Sequence, residues 1–589
     1  MKRNYLFWIP AALFAIFLAA CGGGGTGTSS STGTAQIALT DAPGSGFDNV
    51  FLTVDEIWFH ADNTVGPDDA GWLRYRLPVP QGVDLARLTN GAMSPMILNQ
   101  ALPAGLYRQI RILLLSNEDA VEHPEHHPYN NAVVVTDNGV TTRYPLDIPE
   151  THAEDDLTAM RENRGIPVFG SFQVPSGGTL RLAIDFDIGH DVVKVMRNGQ
   201  AGYMLKPRPR AIDRENVGSI SGRIDNVAVG TGHVVFAQQR NADNTFRVVR
   251  RSAVVEPSGS FLLAFLEPGT YNVLLRGSGV ETLILKDVPV TRNTTTDLPT
   301  ALHVTAGVEY EVNVSVRPTG AWVTFYQTLP GAGEVPYEVL SRDVDPFTGS
   351  FHDPIFLSAG RLHVGTYANN LLGIGCSPVT PLEGNGGFVV SADADLFARK
   401  YYPFSDNVAS ATVITAADNG ATLAFTGRLP VKSPPSVAGG NSISGMMSVP
   451  GWTPDNVVID NVVLFAVRGG MIVDSLFVDG PFATSPSAPY TMGNLPGGTA
   501  TAPLPEAIYG IEAFGFGPFD TAVGMPRMAD LRMGNVYGAD FAFEPMGMPS
   551  LFLANLPAYE FSIISSTARM VPIKKYGQWS GVQVLHYRV

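Results

Sequence analysis

The chain has 589 residues, too many for one hydrophobic core, and at roughly 150 residues per domain it divides into about four. Its 54 acidic residues outnumber 39 Lys and Arg, for a net charge of −15, which excludes nucleic acid as a natural partner. Only two cysteines occur, so stability rests on burial rather than on a disulfide framework.

Lys2 and Arg3 open a basic segment, and the apolar run from Leu6 to Ala20 has the length of a secretory core, short for a bilayer span. Leu18-Ala19-Ala20-Cys21 resembles the bacterial lipobox. That resemblance implies cleavage before Cys21 and acylation of its thiol, leaving Cys376 as the one free cysteine and lipid as the sole anchor. Residues 1–20 are then a lipoprotein signal peptide and 21–35 a tether of Gly, Ser and Thr, too polar and flexible to fold. Gly22, rather than an Asp, after Cys21 favours the outer membrane, on its periplasmic or surface face.

Beyond the tether the dominant hydrophobic period is two. Leu180, Leu182, Ile184 and Phe186 alternate with Arg181, Ala183, Asp185 and Asp187, the pattern of a strand with one wet face. Strands are expected at Gln36 to Thr40, Val50 to Phe59, Tyr107 to Leu115, Ala132 to Thr136 and Phe169 to Val174. Asp137-Asn138-Gly139 and Asp418-Asn419-Gly420 have the Asn-Gly signature of tight hairpins. Val83 to Gln100 and Glu154 to Arg164 are the helical candidates. With 62 glycines and 44 prolines, the fold class expected is all-β, a series of tandem β-sandwiches.

Ordered motifs subdivide the series. Leu39-Thr40-Asp41-Ala42-Pro43, Val83-Asp84-Leu85, Leu102-Pro103-Ala104-Gly105-Leu106-Tyr107 with Gln109-Ile110-Arg111, and Gly170-Ser171-Phe172 come first. Val174-Pro175-Ser176-Gly177-Gly178, Asp185-Phe186-Asp187 and Leu205-Lys206-Pro207 follow. Taken in order, they make residues 36–212 resemble the bacterial DUF4382 family, which implies a sandwich-like module and offers no catalytic residue to carry over.

Ser219-Ile220-Ser221-Gly222-Arg223-Ile224, Ser258-Gly259-Ser260-Phe261 and Leu266-Glu267-Pro268-Gly269-Thr270-Tyr271 resemble a carboxypeptidase-regulatory-like (transthyretin-like) module, expected at 217–300. Echoes of these motifs place further Ig-like or transthyretin-like sandwiches at 301–434 and 441–589. Linkers are expected at Asp213 to Val217 and Lys432 to Asn441, with few contacts crossing them, like beads on a string.

Four of the eleven histidines fall between His123 and His152. His123, Glu125, His126 and His127, with His152 and Glu154, are ligand types for Zn²⁺ or Cu²⁺, though at no closed-site spacing. Asp185 and Asp187, with Asp191 beyond, offer hard oxygens to Ca²⁺. Met525, Met528, Met533, Met546 and Met548 could hold Cu(I), although methionine is commoner as core filler. No Gly-x-Ser-x-Gly, Gly-Lys-Ser/Thr or Cys-x-x-Cys occurs, Cys376 has no histidine nearby in sequence, and Gly22, Gly24 and Gly27 form a glycine fingerprint only within the tether.

The expectation is an exported, lipid-anchored, non-enzymatic envelope protein that binds, displays or scaffolds, with a glycan or an envelope protein as ligand and no required cofactor. The alternatives are a metal-binding lipoprotein using the histidine-rich loop, or a hydrolase using surface carboxylates.

Overall fold

The computed structural model describes residues 31–543 apart from several internal stretches, the longest being 118–128, 149–164, 329–335, 368–386, 433–439 and 452–458, together with strands at Arg569–Lys575 and Gln578–Leu585. The chain folds as tandem β-sandwiches, of which the second and third share one long sheet. In the first, Thr32–Ala42 is central to one sheet, pairing antiparallel with Ser94–Pro103 and parallel with Thr179–Asp187. The facing sheet centres on Asn49–His60, which pairs with Leu73–Asp84, Gly105–Leu114 and Ala132–Asp137. Ile37, Leu39, Leu52, Ile110, Ile112 and Ile184 fill the space between the two sheets.

Strands form where they were expected, but the first begins at Thr32, inside the stretch to residue 35 expected to be an unfolded tether, because its backbone pairs on both sides and Ala35 is buried. Val83 to Gln100, however, is not a helix: Leu73–Asp84 ends there, Leu85–Arg87 makes one 3₁₀ turn, and Ser94–Pro103 begins. Asn90 and Gly91 take φ of 54° and 81°, outside the helical region, and Pro95 has no N–H to continue a helix. The second helical candidate, Glu154 to Arg164, lies outside the described residues. Asp137 pairs with Val140, closing the expected hairpin over Gly139 at φ 78°. Asp418-Asn419-Gly420 makes no hairpin. Thr415 and Asp418 close a capping box around a 3₁₀ turn, and Ala421–Arg428 then runs parallel to Val308–Arg317.

The following sandwiches share strands and core. Gly218–Asp225 pairs antiparallel with Ser260–Leu266, while Thr231–Arg240 lies between Phe246–Ala253 and Gly269–Ser278. That sheet continues into the next module, because Phe246 pairs with Tyr337 and Leu283–Val290 pairs in parallel with His363–Thr366. One hydrophobic cluster extends from Val312, Val314 and Phe325 to Ile443, Leu464 and Tyr509. A smaller one joins Val195 and Met204 of the first sandwich to Phe347, Phe465 and Phe514. At Gly320 a Cβ would stand 2.1 Å from the carbonyl oxygen of Ile472, so only glycine permits this approach between modules.

These contacts overturn the expectation of beads on a string. Between 213 and 217 the chain is pinned, with the Asn293 N–H donating to the Val217 carbonyl at 2.8 Å and the Arg292 Nε–H to the Glu215 carbonyl at 2.7 Å.

Two motifs read from the sequence share one device. The Tyr107 hydroxyl donates to the Pro103 carbonyl at 2.9 Å, and the Tyr271 hydroxyl to the Glu267 carbonyl at 2.7 Å, each bracing the turn four residues back into its strand. Tyr107→Phe and Tyr271→Phe should each lower stability by about 1 kcal/mol in urea unfolding of the full chain, the contribution of one such hydrogen bond.

Candidate functional site

Asp185 and Asp187 lie on one side of Thr179–Asp187, the side expected to face water. Arg181 and Asp187 keep 40% and 32% of their side chains exposed, but Asp185 does not face water. Phe246–Ala253 of the second sandwich covers it, and Asp185 is 4% exposed. Both Asp185 carboxylate oxygens are taken, Oδ1 by Arg250 and Oδ2 by Arg210 Nη2 at 2.9 Å. Asp187 Oδ2 pairs with Arg251 Nη2 at 2.8 Å. Three of the four carboxylate oxygens of Asp185 and Asp187 thus have guanidinium partners from the chain itself, two of them donated across a module boundary, while Asp187 Oδ1 is buried without a hydrogen bond. The Arg250 guanidinium also reaches Thr40 Oγ1 and the Asp41 carbonyl, both at 3.3 Å.

Asp41 lies beneath this layer and is fully buried, its Oδ1 accepting the Ile188 N–H at 3.1 Å. Burial, reinforced by the charge of Asp187, pushes its carboxyl well above the usual range, so Asp41 tends to keep its proton. Burial raises Asp187 as well, against the pull of Arg251.

A second knot forms around Asp343, at the end of Tyr337–Asp343 in the third sandwich. Its Oδ1 accepts Lys206 Nζ at 3.0 Å and Arg208 Nη2 at 2.8 Å, and its Oδ2 accepts Arg208 Nη1 at 3.0 Å. His190 Nδ1 stands 3.3 Å from Oδ2, and the Arg208 guanidinium lies 4.5 Å over the Trp322 ring. Burial alone would raise the Asp343 carboxyl. Arg208, then Lys206 and His190, outweigh that and hold it at about 2. Burial pushes Lys206 below the usual lysine range, with Asp343 opposing.

The junction frames a cleft of about 290 Å³ whose walls include Asp187, Arg208, Arg247 and Glu338. His190, Asp191 and Asp343 offer atoms within 4.8 Å of one another, a meeting of imidazole and carboxylate that the sequence reading expected among His123 to Glu154, with Asp191 offered only to Ca²⁺. Lys206 and Arg208 already neutralise Asp343, so a divalent cation would enter against two fixed positive charges. Carboxylates clamped in this way are also poor general bases. What the arrangement does well is lock modules together.

Cys21, Cys376, His123, Glu125, His126, His127, His152 and Glu154 lie outside the described residues, as do Met546 and Met548. Met528 and Met533 are 56% and 61% exposed. The residues missed by the sequence reading are Lys206, Arg208, Arg250, Arg251 and Asp343. Lys206 stood within a quoted motif, but nothing local marks its partner 137 residues away.

Fold and site together define a multi-domain β-sandwich protein whose modules are keyed to one another by buried ion pairs. Residues 32–207 match the family model described as a domain of unknown function (DUF4382), so the first sandwich is a DUF4382 domain. No curated protein matches the chain. Among solved structures, the Bacillus anthracis TIE protein is 9% identical over 92% of this chain and 79% of its own, with a TM-score of 0.14. A streptococcal ancillary pilin is 9% identical over 57% of this chain and all of its own, with a TM-score of 0.12. The major pilin subunit of Bacillus cereus is 8% identical over 55% and 98%, with a TM-score of 0.11. Superpositions this poor carry no argument about function.

The same substitution should act oppositely at the two buried aspartates. Asp343→Asn leaves Lys206 and Arg208 buried without a counter-charge and should cost about 3–5 kcal/mol in denaturant unfolding at neutral pH. Asp41→Asn replaces a carboxyl that resists ionising and should leave stability unchanged or raise it. A depressed carboxyl stabilises above its unfolded pKa, so the share from Asp343, about 2 kcal/mol, should be present above about pH 4 and be lost as pH falls towards 2.

Proposed function

We propose that the chain is an exported, lipid-anchored, non-enzymatic protein of the cell envelope that serves as a scaffold or display module for a glycan or protein ligand. The observation that carries this reading is the pairing of Asp185 with Arg250 and of Asp343 with Lys206 and Arg208 across module boundaries. Modules joined by exposed linkers tumble; modules joined by buried charge pairs hold a fixed relative orientation. A fixed series of sandwiches suits a task of reach and presentation. The carboxylates proposed for a hydrolase are spent on that geometry. Anchoring comes from the sequence alone, from the lipobox-like Leu18-Ala19-Ala20-Cys21 and its tether, and the outer membrane is the membrane it favours.

Cys21→Ser, expressed in a lipoprotein-processing bacterium, should leave the membrane fraction or accumulate with its signal uncut. If fractionation finds the variant membrane-bound and normally matured, the anchor is something else and this reading falls.

A further inference from the structure

The strand that follows the tether is held on both flanks. Thr32–Ala42 runs parallel to Thr179–Asp187 in unbroken register, from Thr34 opposite Thr179 to Ala42 opposite Asp187. On its other side it runs antiparallel to Ser94–Pro103, from Thr32 opposite Pro103 to Leu39 opposite Ser94. Two turns fasten its start. The Gly177 N–H donates to the Thr32 carbonyl at 2.9 Å, the Thr34 N–H to the Gly178 carbonyl at 2.9 Å, and the Ala104 N–H to the Ser31 carbonyl at 2.7 Å. Ala35, Ile37 and Leu39 are buried in the core beneath.

The other sandwiches grip the opposite end of this strand pair. Asp187 leads directly into Ile188–Asp191 and Val192–Arg197. There His190 approaches Asp343, Lys194 Nζ holds Asp353 at 2.8 Å, and Val193 and Val195 pack with Phe347 of the third sandwich and Phe465 of the fourth. Arg250 of the second reaches Thr40 and Asp41 at the same end. The covalent link to the second sandwich leaves from nearer the tether. Asp213 stands opposite Leu182, and the Arg214 N–H donates to the Arg181 carbonyl at 3.0 Å. A pull passing through that link alone would act partly across the sheet, whereas a pull passing through the docked third and fourth sandwiches acts along Thr32–Ala42 and Thr179–Asp187.

We propose that the first sandwich is a load-bearing clamp, through which the chain withstands pulling between its anchored N-terminus and its third and fourth sandwiches. A ladder loaded along its strands shares the force among all its hydrogen bonds, which must fail together; a ladder opened from one end loads them one after another. The buried pair of Asp343 with Lys206 and Arg208 then carries force past the covalent link to the far end of Thr179–Asp187. The inference rests on the reading of the chain as an anchored scaffold and names mechanical strength as what its fixed geometry serves.

Single-molecule pulling on the unacylated chain, held through the Cys21 thiol in a Cys376→Ser background, tests this. The second handle is a cysteine placed by Val413→Cys in the third sandwich, or by Ser176→Cys in the turn beside Thr32, both exposed positions. The first loads the strand lengthwise and the second peels it from its start. At one loading rate the lengthwise pull should need about twice the peeling force or more, because forced unfolding is set by the barrier crossed rather than by stability. Asp343→Asn should lower the lengthwise force and leave the peeling force unchanged. Equal forces in the two geometries would overturn the proposal. Release of the third sandwich below the peeling force would overturn it as well, since load would then never reach the strand lengthwise. An unaltered lengthwise force in Asp343→Asn would overturn the part given to the ion pair. The measurement uses no membrane, so it and the Cys21→Ser fractionation fail separately.

Discussion

Everything in the arrangement of the first three sandwiches depends on carboxylates of one module being buried against cations of another. Asp185 of the first meets Arg250 of the second, and Asp343 of the third meets Lys206 and Arg208 of the first. Each partner has given up water, so each is tolerable only while the other is present. Separating the modules would strand Lys206 and Asp343, 2% and 0% exposed, without compensation unless water followed them in. Apolar burial supplies the attraction between modules, and charge pairing fixes which orientation survives.

That division explains how a chain with only 16% charged residues places several of them in its interior. Hydrophobic contacts such as Phe347 with Phe465, whose rings lie 5.2 Å apart, tolerate sliding. A bidentate grip such as Arg208 on Asp343 does not.

Much of the fold was legible in the sequence because sandwich strands advertise themselves by alternation and tight turns by glycine. The hairpin over Gly139 and the strands of the first module follow from these local rules. The errors share a cause, which is that a local rule cannot see a neighbour. Leu180 to Asp187 alternates as a wet strand should, yet Phe246–Ala253 buries Asp185 and pairs with Asp187, so the aspartates read as solvated are structural. Val83 to Gln100 carries apolar residues at helix-like spacing, but Asn90 and Gly91 turn the chain and send Leu85 and Ile97 into the core from different elements. The junction was half-visible: Asp41, Asp185 and Lys206 all stood inside quoted motifs, while Arg250 and Asp343 carried no mark. Distance along the chain hid those partners, since pairing over 65 or 137 residues leaves no periodic signal.

The most direct test is native-state hydrogen exchange across the junction in the full chain. If buried pairs lock the modules, protected amides of Thr179–Asp187, Phe246–Ala253 and Tyr337–Asp343 should open with one shared free energy, and Asp343→Asn should lower all three together. Three unequal opening energies, with Asp343→Asn affecting Tyr337–Asp343 alone, would contradict the account and return the molecule to independent beads.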